Sequence, residues 1–420
     1  MISQYNWSDG PALIAQHSIA KHRILESYLA AYFATLVGGQ PREEFKLTLV
    51  DGFAGGGLYY HQDTRQLIKG SPFIFLQAEE EGRFRINQGR TKPVRLDIMH
   101  FFIESDRDAY LHLGKALRDE GFASRIGASI QLRNARFEDE VRSIVEAIKK
   151  KSPRNGRSIF ALDQFGYGAV PTSVLRYILD TLPGAEIILT FGVDALLNYA
   201  SDKNFAHSLA NLEVPDILAG RSIDDIKKSE RDWRLFIQSS LYSALVESCG
   251  ARHFTPFFIR NRSGHGDYWL IHMAQHHRAR DVMTDVHWQN HTSFIHYGGA
   301  GLDMFNMLGY DPRTDATYHG QSELGFEFDT VARQASVRVL MEQIPRLVHD
   351  CRQGVPFKEL YANTCNHSPA TAGIYRDALA GLVAQNALEI ASETGGRRRA
   401  AAQIKFSDRI NTPRQRILFT

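Results

Sequence analysis

The sequence predicts an α/β protein built on a parallel, Rossmann-like sheet, followed by a separate helical module that closes with two short strands. Three observations carry this. Between residues 47 and 191, strand-length apolar runs alternate five times with helix-length amphipathic stretches, the pattern of parallel strands joined by crossover helices. Several of those runs end in an acidic residue (Asp51, Glu104, Asp163), which puts carboxylates at the sheet edge where α/β folds bind ligands. Beyond Phe294 the chain turns Gly- and Asp-rich and then purely helical, as at a domain boundary.

Composition sets the outer limits. A chain of 420 residues suits two domains, and 43% hydrophobic with 23% charged residues is ordinary globular composition. We expect a first domain over 1–295 with a helical insert near 196–250, a linker or irregular insert over 296–327, and a second domain over 328–420. A net charge of +2 and a pI near 8.3 neither require nor exclude nucleic acid, so any basic surface must be local. Cys249, Cys351 and Cys365 are far apart and lack metal spacing, which argues against a zinc site or disulfide scaffold. No apolar run is long enough for a bilayer and residues 1–9 lack a signal-peptide pattern, so the expected setting is the cytoplasm, with no membrane partner.

In chain order, residues 18–36 place Ile24, Leu25, Tyr28, Leu29, Tyr32, Phe33 and Leu36 at helical spacing, with Gly38-Gly39 as the stop. Lys21 and His22 fall on the first turns, as a solvated edge or as ligand contacts. The next stretch organises the chain. Leu47-Thr48-Leu49-Val50 reads as a buried strand that opens into Asp51-Gly52-Phe53-Ala54-Gly55-Gly56-Gly57. Glycines let the backbone turn sharply and approach a ligand, and Asp51 can take a positive or hydroxyl-bearing group. No Gly-Lys-Ser/Thr follows, and Tyr60 stands in the third glycine slot of a dinucleotide fingerprint. A loop without phosphate-binding features suits a cofactor without phosphates, of which S-adenosylmethionine (SAM) is the common one. A glycine-rich connection in a structural domain is the alternative.

Ser71 is the expected N-cap, with Pro72 at the first helical position of a helix through Ala78, then an exposed loop over 79–92. The second buried strand ends in Glu104-Ser105-Asp106. Glu104, with Ser105 beside it, stands where nucleoside-binding folds set a carboxylate on the ribose hydroxyls, because a carboxylate can accept from both. Asp106 suits the N-cap of a helix over 107–121. A strand near 129–132 leads to Asn134, the polar candidate for an adenine amine, and to Phe137, either a ring contact or core. A helix over 138–151 precedes the fourth strand and Asp163-Gln164-Phe165-Gly166-Tyr167-Gly168, the expected catalytic loop. Asp163 could hold an amine there while an aromatic stacks a planar ring. Alternatively Asp163 caps the helix after Pro171, and Phe165 and Tyr167 are core.

A fifth strand over 185–191, a helical and polar stretch over 196–248, and strands at 255–259 and 268–273 follow. The last two resemble the antiparallel edge hairpin that completes many SAM-dependent methyltransferase sheets, so the expected fold is a class I SAM-methyltransferase sheet. The histidines between His253 and His296 show no ligand spacing, and no metal is expected. Helices over 331–351, 357–364 and 371–386, then strands over 387–391 and 402–406 around a basic glycine turn, outline a winged helix. In that module the helix after Ser368-Pro369-Ala370-Thr371 enters a DNA groove, and Arg397, Arg398 and Arg399 at the wing tip touch phosphate. Many winged helices bind protein instead.

With these motifs in place the chain resembles the three-Cys-motif partner protein family, a bacterial group with a methyltransferase-like domain. The resemblance runs from about Ser18 to Trp288. It rests on Lys21-His22, Asp51-Gly52-Phe53-Ala54-Gly55, Gly70-Ser71-Pro72, Phe102-Ile103-Glu104, Leu162-Asp163-Gln164-Phe165-Gly166 and the segment from Arg278 to Trp288. The family is named for cysteines of a neighbouring protein, which implies a partner encoded nearby. It carries proline where this chain has Gln164, a motif similar to the Asp/Asn-Pro-Pro-aromatic loop of adenine and cytosine amino methyltransferases. By that resemblance Asp163 accepts from the exocyclic amine, the Gln164 carbonyl is its partner, and Phe165 or Tyr167 stacks on the base, which a duplex would have to flip out. Losing the proline removes rigidity from the loop.

Two functions are therefore expected. One is a SAM-dependent methyltransferase acting on an exocyclic amine of a base in DNA or RNA. The other is a non-catalytic methyltransferase-like protein that binds nucleic acid or serves a partner. Tyr60 disfavours a nicotinamide oxidoreductase.

Overall fold

The computed structural model describes residues 6–7, 10–14, 16–37, 43–164, 170–192, 202–214, 217, 220–222, 225, 233–259, 268–290, 301–302, 328–349, 351 and 353–413. Gly38-Gly39, Phe165, Tyr167 and nearly all of 296–327 lie outside them. The chain divides into two compact units, Met1–Trp233 with Ser240–Val286, and Arg234–Ser239 with His287–Thr420.

The first unit is organised by β2 (Glu44–Asp51), the third strand of a seven-stranded sheet. On one side lie β5 (Arg95–Ile103) and β6 (Ile130–Arg133); on the other lie β7 (Ser158–Leu162), β8 (Ala185–Phe191), β10 (Tyr268–Ala274) and β9 (His253–Ile259). The first five strands pair in parallel, and β10 runs antiparallel to both β8 and β9. Counted along the chain this order is 3-2-1-4-5-7-6, that of a class I methyltransferase sheet. The chain reverses direction across the sheet between β2 and β7, which makes the carboxyl ends of those strands the ligand crevice. Phe45, Leu47, Leu49 and Val50 of β2 are all buried, because helices cover both faces of a parallel sheet and leave it no polar side.

The helices follow local rules. In α3 (Arg107–Asp119) Asp106 is the N-cap, accepting from Asp108 N–H and Ala109 N–H at 2.9 Å each. α4 (Phe137–Lys151) opens with Glu138, Asp139 and Glu140 and closes with Lys149, Lys150 and Lys151, matching the helix dipole at both ends. α1 (Gln16–Val37), α5 (Thr172–Thr181), α6 (Asp202–Leu212), α7 (Trp233–Cys249) and α8 (His277–Gln289) complete the set described before the second unit's own elements.

Two expectations are corrected here. Residues 79–87 are not a loop: α2 runs Ser71–Asn87, and only 88–92 lie beyond it. Its second half is held by Glu79–Arg83 and Glu81–Arg85 pairs at helical spacing, and Glu79 is buried against His100 at 2.8 Å and Arg125 at 2.6 Å. Nor is Ser71 the N-cap. Gly70, which has no side chain to cap with, takes that place, and the Ser71 hydroxyl is turned to Asp51. The sequence also hid a small sheet formed by β1 (Ala12–Ile14), β3 (Leu58–His61) and β4 (Leu67–Lys69). Its strands of three or four residues are too short for an alternation to declare itself.

The second unit packs α9 (Thr330–His349), α10 (Phe357–Thr364) and α11 (Ala372–Ala384) over a four-stranded sheet. The sheet order is β11 (Val355–Pro356), β14 (Arg409–Asn411), β12 (Glu389–Ala391), β13 (Arg397–Arg398). This is a winged helix, with one expected strand misplaced. Residues 402–406 do not form a strand; Ala401–Gln403 is a 3-10 turn. The chain turns back at once through Gly395 (φ +84°) into β13, and the strand that closes the sheet is β14. A buried Asp408 fixes this arrangement by accepting from Lys405 N–H at 2.8 Å and Arg398 Nε at 3.1 Å.

Candidate functional site

Neighbouring strands β5, β2 and β7 end side by side, and the acids that end or follow them are Glu104, Asp51 and Asp163. The glycine loop after β2 is pinned from both sides: Gly52 N–H donates to Ala161 O at 3.0 Å and Ala54 N–H to Ile103 O at 2.9 Å. Gly55 and Gly57 adopt φ of +58° and +79°, a left-handed backbone that a side chain would strain.

Asp51 is 1% exposed. Its Oδ1 accepts from Phe53 N–H at 3.2 Å, the Ser71 hydroxyl lies against the carboxylate, and Oδ2 has no hydrogen-bond partner among the described residues. Burial pushes this carboxyl up to about 7, against the pull of the hydroxyl and the N–H. Glu104 is held by backbone: Oε2 accepts from Gly55 N–H at 2.8 Å and Oε1 from Asp106 N–H at 2.7 Å. Burial raises its pKa and these N–H groups oppose the rise. Asn134 is exposed and donates through Nδ2 to the carbonyls of Glu104 at 2.9 Å and Ser105 at 3.2 Å, leaving Oδ1 as its acceptor. Phe137 is 1% exposed, with ring centroids 6.4 Å from Phe53 and 6.3 Å from Phe160. It sits in the core beneath Gly52, where an added Cβ would meet Phe137 at 3.0 Å and Leu162 at 2.6 Å.

Asp163 does not cap α5, whose N-cap is Pro171. Lys21 of α1 reaches it instead, with Nζ 2.5 and 2.8 Å from the two carboxylate oxygens. Burial would raise the Asp163 pKa, but the Lys21 ammonium and the Thr190 hydroxyl together hold it below the ordinary range. His22 is lowered to about 4 by burial and is therefore neutral. The Gln164 side chain accepts from Val170 N–H at 3.1 Å, which ties the two ends of segment 165–169 together where the resembling family uses a proline.

Some site residues gave no warning in sequence. Trp7 packs on the glycine loop, its ring 5.1 Å from Tyr59 and 5.0 Å from His112. His112 donates through Nδ1 to Gly56 O at 2.6 Å, since a carbonyl can only accept. Thr190 was detectable as the one hydroxyl in the apolar run 187–191; Trp7 lies in a segment without a pattern, and nothing in the pattern of α3 singles out His112.

The wing arginines are divided. Arg398 turns inward to Asp408 and is only 26% exposed, which corrects its placement as a tip contact: strand alternation puts it on the same face as buried Ile390, its register partner. Arg397 and Arg399 remain exposed.

Comparison with known proteins bears on both units. Residues 309–395 match the family model of the GMT-like wHTH domain. The second unit carries this match. No curated protein matches the chain. Similar solved structures include the plantazolicin methyltransferase BamL in complex with a triazolic desmethylPZN analog and SAH, at 12% identity over 62% of this chain and 87% of that one, TM-score 0.26. Geranyl diphosphate methyltransferase with GPP and sinefungin is similar at 13% identity, over 61% and 78%, TM-score 0.26. The bifunctional kinase-methyltransferase WbdD follows at 10% identity, over 61% of this chain but only 39% of its own length, TM-score 0.31. Likenesses this distant add no weight to the strand order itself. Among the described residues no helix is long and apolar enough to cross a membrane, and no cluster of His, Cys, Asp and Glu could hold a metal.

Proposed function

We propose that the chain is a SAM-dependent methyltransferase acting on an exocyclic amine of a nucleic-acid base, and that the resemblance to the three-Cys-motif partner family extends to this activity. The observation that carries the reading is Asp51: a carboxylate buried at the switch point of a methyltransferase sheet, with one oxygen unpartnered among the described residues. Stability alone would not keep such a group. The methionine ammonium of SAM is the donor that would complete it. Glu104, locked by two N–H groups, would take the ribose hydroxyls, and Asn134 Oδ1 the adenine amine. When bound, SAM supplies a methyl group activated by its sulfonium charge.

The chain's own contribution would be positioning. Lys21 keeps Asp163 ionised and fixed, so Asp163 serves as an acceptor rather than a base. A carboxylate offers about four lone-pair sites; Lys21 and Thr190 take three of them, and one is left for an amine hydrogen. The Gln164 carbonyl would accept the other, with Phe165 or Tyr167 as the stacking ring. The same ion pair favours a second reading, a non-catalytic methyltransferase-like protein, because an ammonium already occupies the acceptor.

Calorimetric titration with SAM, beside Asp51→Ala and Glu104→Ala, separates them when followed by methyl transfer from labelled SAM to DNA and RNA. Micromolar binding lost in both variants, with label in nucleic acid, supports the enzyme. Binding without transfer supports the second reading, and no binding to folded protein removes SAM.

A further inference from the structure

We infer that the winged helix holds nucleic acid by its phosphates, on the outer face of its sheet, and reads no base sequence through α11. This deepens the proposed nucleic-acid reading and rests on it.

A groove-reading helix needs side chains that reach base edges, mainly Arg, Lys, Asn or Gln near its N-terminus. α11 begins Ala372-Gly373-Ile374 after a buried Thr371 whose hydroxyl caps Ile374 N–H. Its charged residues are Arg376 and Asp377, and both have partners within the unit. Arg376 donates through Nε to Ile404 O at 3.0 Å and lies 5.6 and 5.1 Å from the Phe357 and Phe406 ring centres. Asp377 pairs with Arg333. Only Ala384, at the end of the helix, is exposed. α11 carries no Lys, Asn or Gln, and its one arginine is turned to Ile404 and the Phe357 and Phe406 rings of its own unit.

The sheet is built the opposite way. Ile390 and Ile410 are buried and pair with each other, and Arg398 lies beside them on the inner face. Alternation then puts Ala391, Arg397 and Arg409 in one row across the outer face, in the observed register Arg409–Ala391–Arg397. Arg399 falls on the same side two residues beyond Arg397, about 7 Å along the strand, with Arg409 about 10 Å across it. All three arginines are exposed. Arg409 uses one nitrogen, Nη1, on the carbonyls of Gln353 and Gly354 at 3.0 and 3.1 Å, which steadies it and leaves other donors of its guanidinium. Glu389 is the acid of this face, 3.7 Å from Arg397 with both side chains largely in solvent, a contact worth little. Arginines about 7 and 10 Å apart on one sheet face suit a run of phosphates.

The test is fluorescence anisotropy of the full chain with unrelated 30-mer DNA duplexes and a single-stranded RNA, at salt from 50 to 200 mM. The wild-type protein should bind the duplexes within about threefold of one another. R397S/R399S should lower the salt slope by about 2, near 0.9 per lost phosphate contact, and weaken binding at least about tenfold at low salt. D377N should change neither. Arg409→Lys, with unchanged circular dichroism, should lower affinity less than the double variant. An unchanged slope in R397S/R399S overturns the sheet face while leaving the nucleic-acid reading in place, and so does a duplex preference above tenfold that D377N abolishes. A wild-type chain that binds neither DNA nor RNA overturns both, and arginine-dependent binding to anionic vesicles in that case assigns the face to a membrane surface.

Discussion

Each unit buries one aspartate to 1% exposure with an oxygen left unpartnered among the described residues, Asp51 in the first and Asp408 in the second, yet the two are handled differently. Asp408 accepts from the Arg398 guanidinium and Lys405 N–H, so its charge has a countercharge and its geometry closes the wing. Asp51 faces dipoles only, a backbone N–H and a hydroxyl, and its carboxyl rises to about 7. Burial is therefore a poor guide to role; compensation is the better one. A buried acid with a cation of its own can serve as a structural clamp, while one without a cation is the candidate for a ligand that brings it, which is the role proposed for Asp51. Asp163 is intermediate, since its cation, Lys21, belongs to the protein but stands at the crevice.

The largest effect should come from the intermediate case. Asp163→Ala removes the proposed amine acceptor and strands Lys21, and methyl transfer should fall by about 10²–10³ or more while SAM affinity stays within about threefold. Equal losses of transfer and SAM binding would make Asp163 a clamp like Asp408 and erase the distinction. In the second unit, Arg398→Ala leaves Asp408 buried without its cation and should cost about 3 kcal/mol, read as an earlier denaturation of the winged helix. The neighbouring Arg397→Ala should cost almost nothing, because its partner Glu389 is largely solvated. If the two cost the same, the Asp408 clamp is not what holds the wing.

Sequence revealed the first unit more fully than the second, for a physical reason. Parallel strands covered on both faces leave unbroken apolar runs, so β2, β5, β7 and β8 and the acids at their ends stood out. Amphipathic α3 and α4 came with caps and charged ends. Residues 79–87 were misread because their buried face is Glu79, Gly82 and Ile86, with one apolar side chain: Glu79 is satisfied by His100 and Arg125, partners distant in the chain. The Lys21–Asp163 pair spans 142 positions, and no spacing rule reaches that far. In the wing, three adjacent arginines read as one basic tip until the pleat sent Arg398 inward, an outcome that depends on where a two-residue strand begins.

A pH series sharpens the contrast between the aspartates. With a carboxyl near 7, Asp51 is mostly protonated at pH 6 and mostly ionised at pH 8, so affinity for the SAM ammonium should tighten about tenfold across that range. The sign for the unliganded protein is opposite. A carboxyl whose pKa is raised on folding loses stability as pH climbs from its unfolded value of about 4 through 7, so Asp51→Asn should be the more stable protein at pH 8 and the weaker binder of SAM. A flat wild-type binding profile would mean that Asp51 meets no cation.

The smallest effect concerns Asn134, which does two things at once. Its Nδ2 ties the backbone of Glu104 and Ser105, and its Oδ1 is the proposed acceptor for an adenine amine. Because both bonds lie at an exposed position, Asn134→Ala should weaken SAM by about 1 kcal/mol, roughly fivefold. The two roles separate with a SAM analogue that carries oxygen in place of the adenine amine. If Oδ1 accepts from the amine, wild type discriminates against the analogue and Asn134→Ala binds both ligands alike. If Asn134 acts only through the Glu104 backbone, the variant loses affinity for both ligands equally and the discrimination survives. The site would then rest on Asp51 and Glu104 alone.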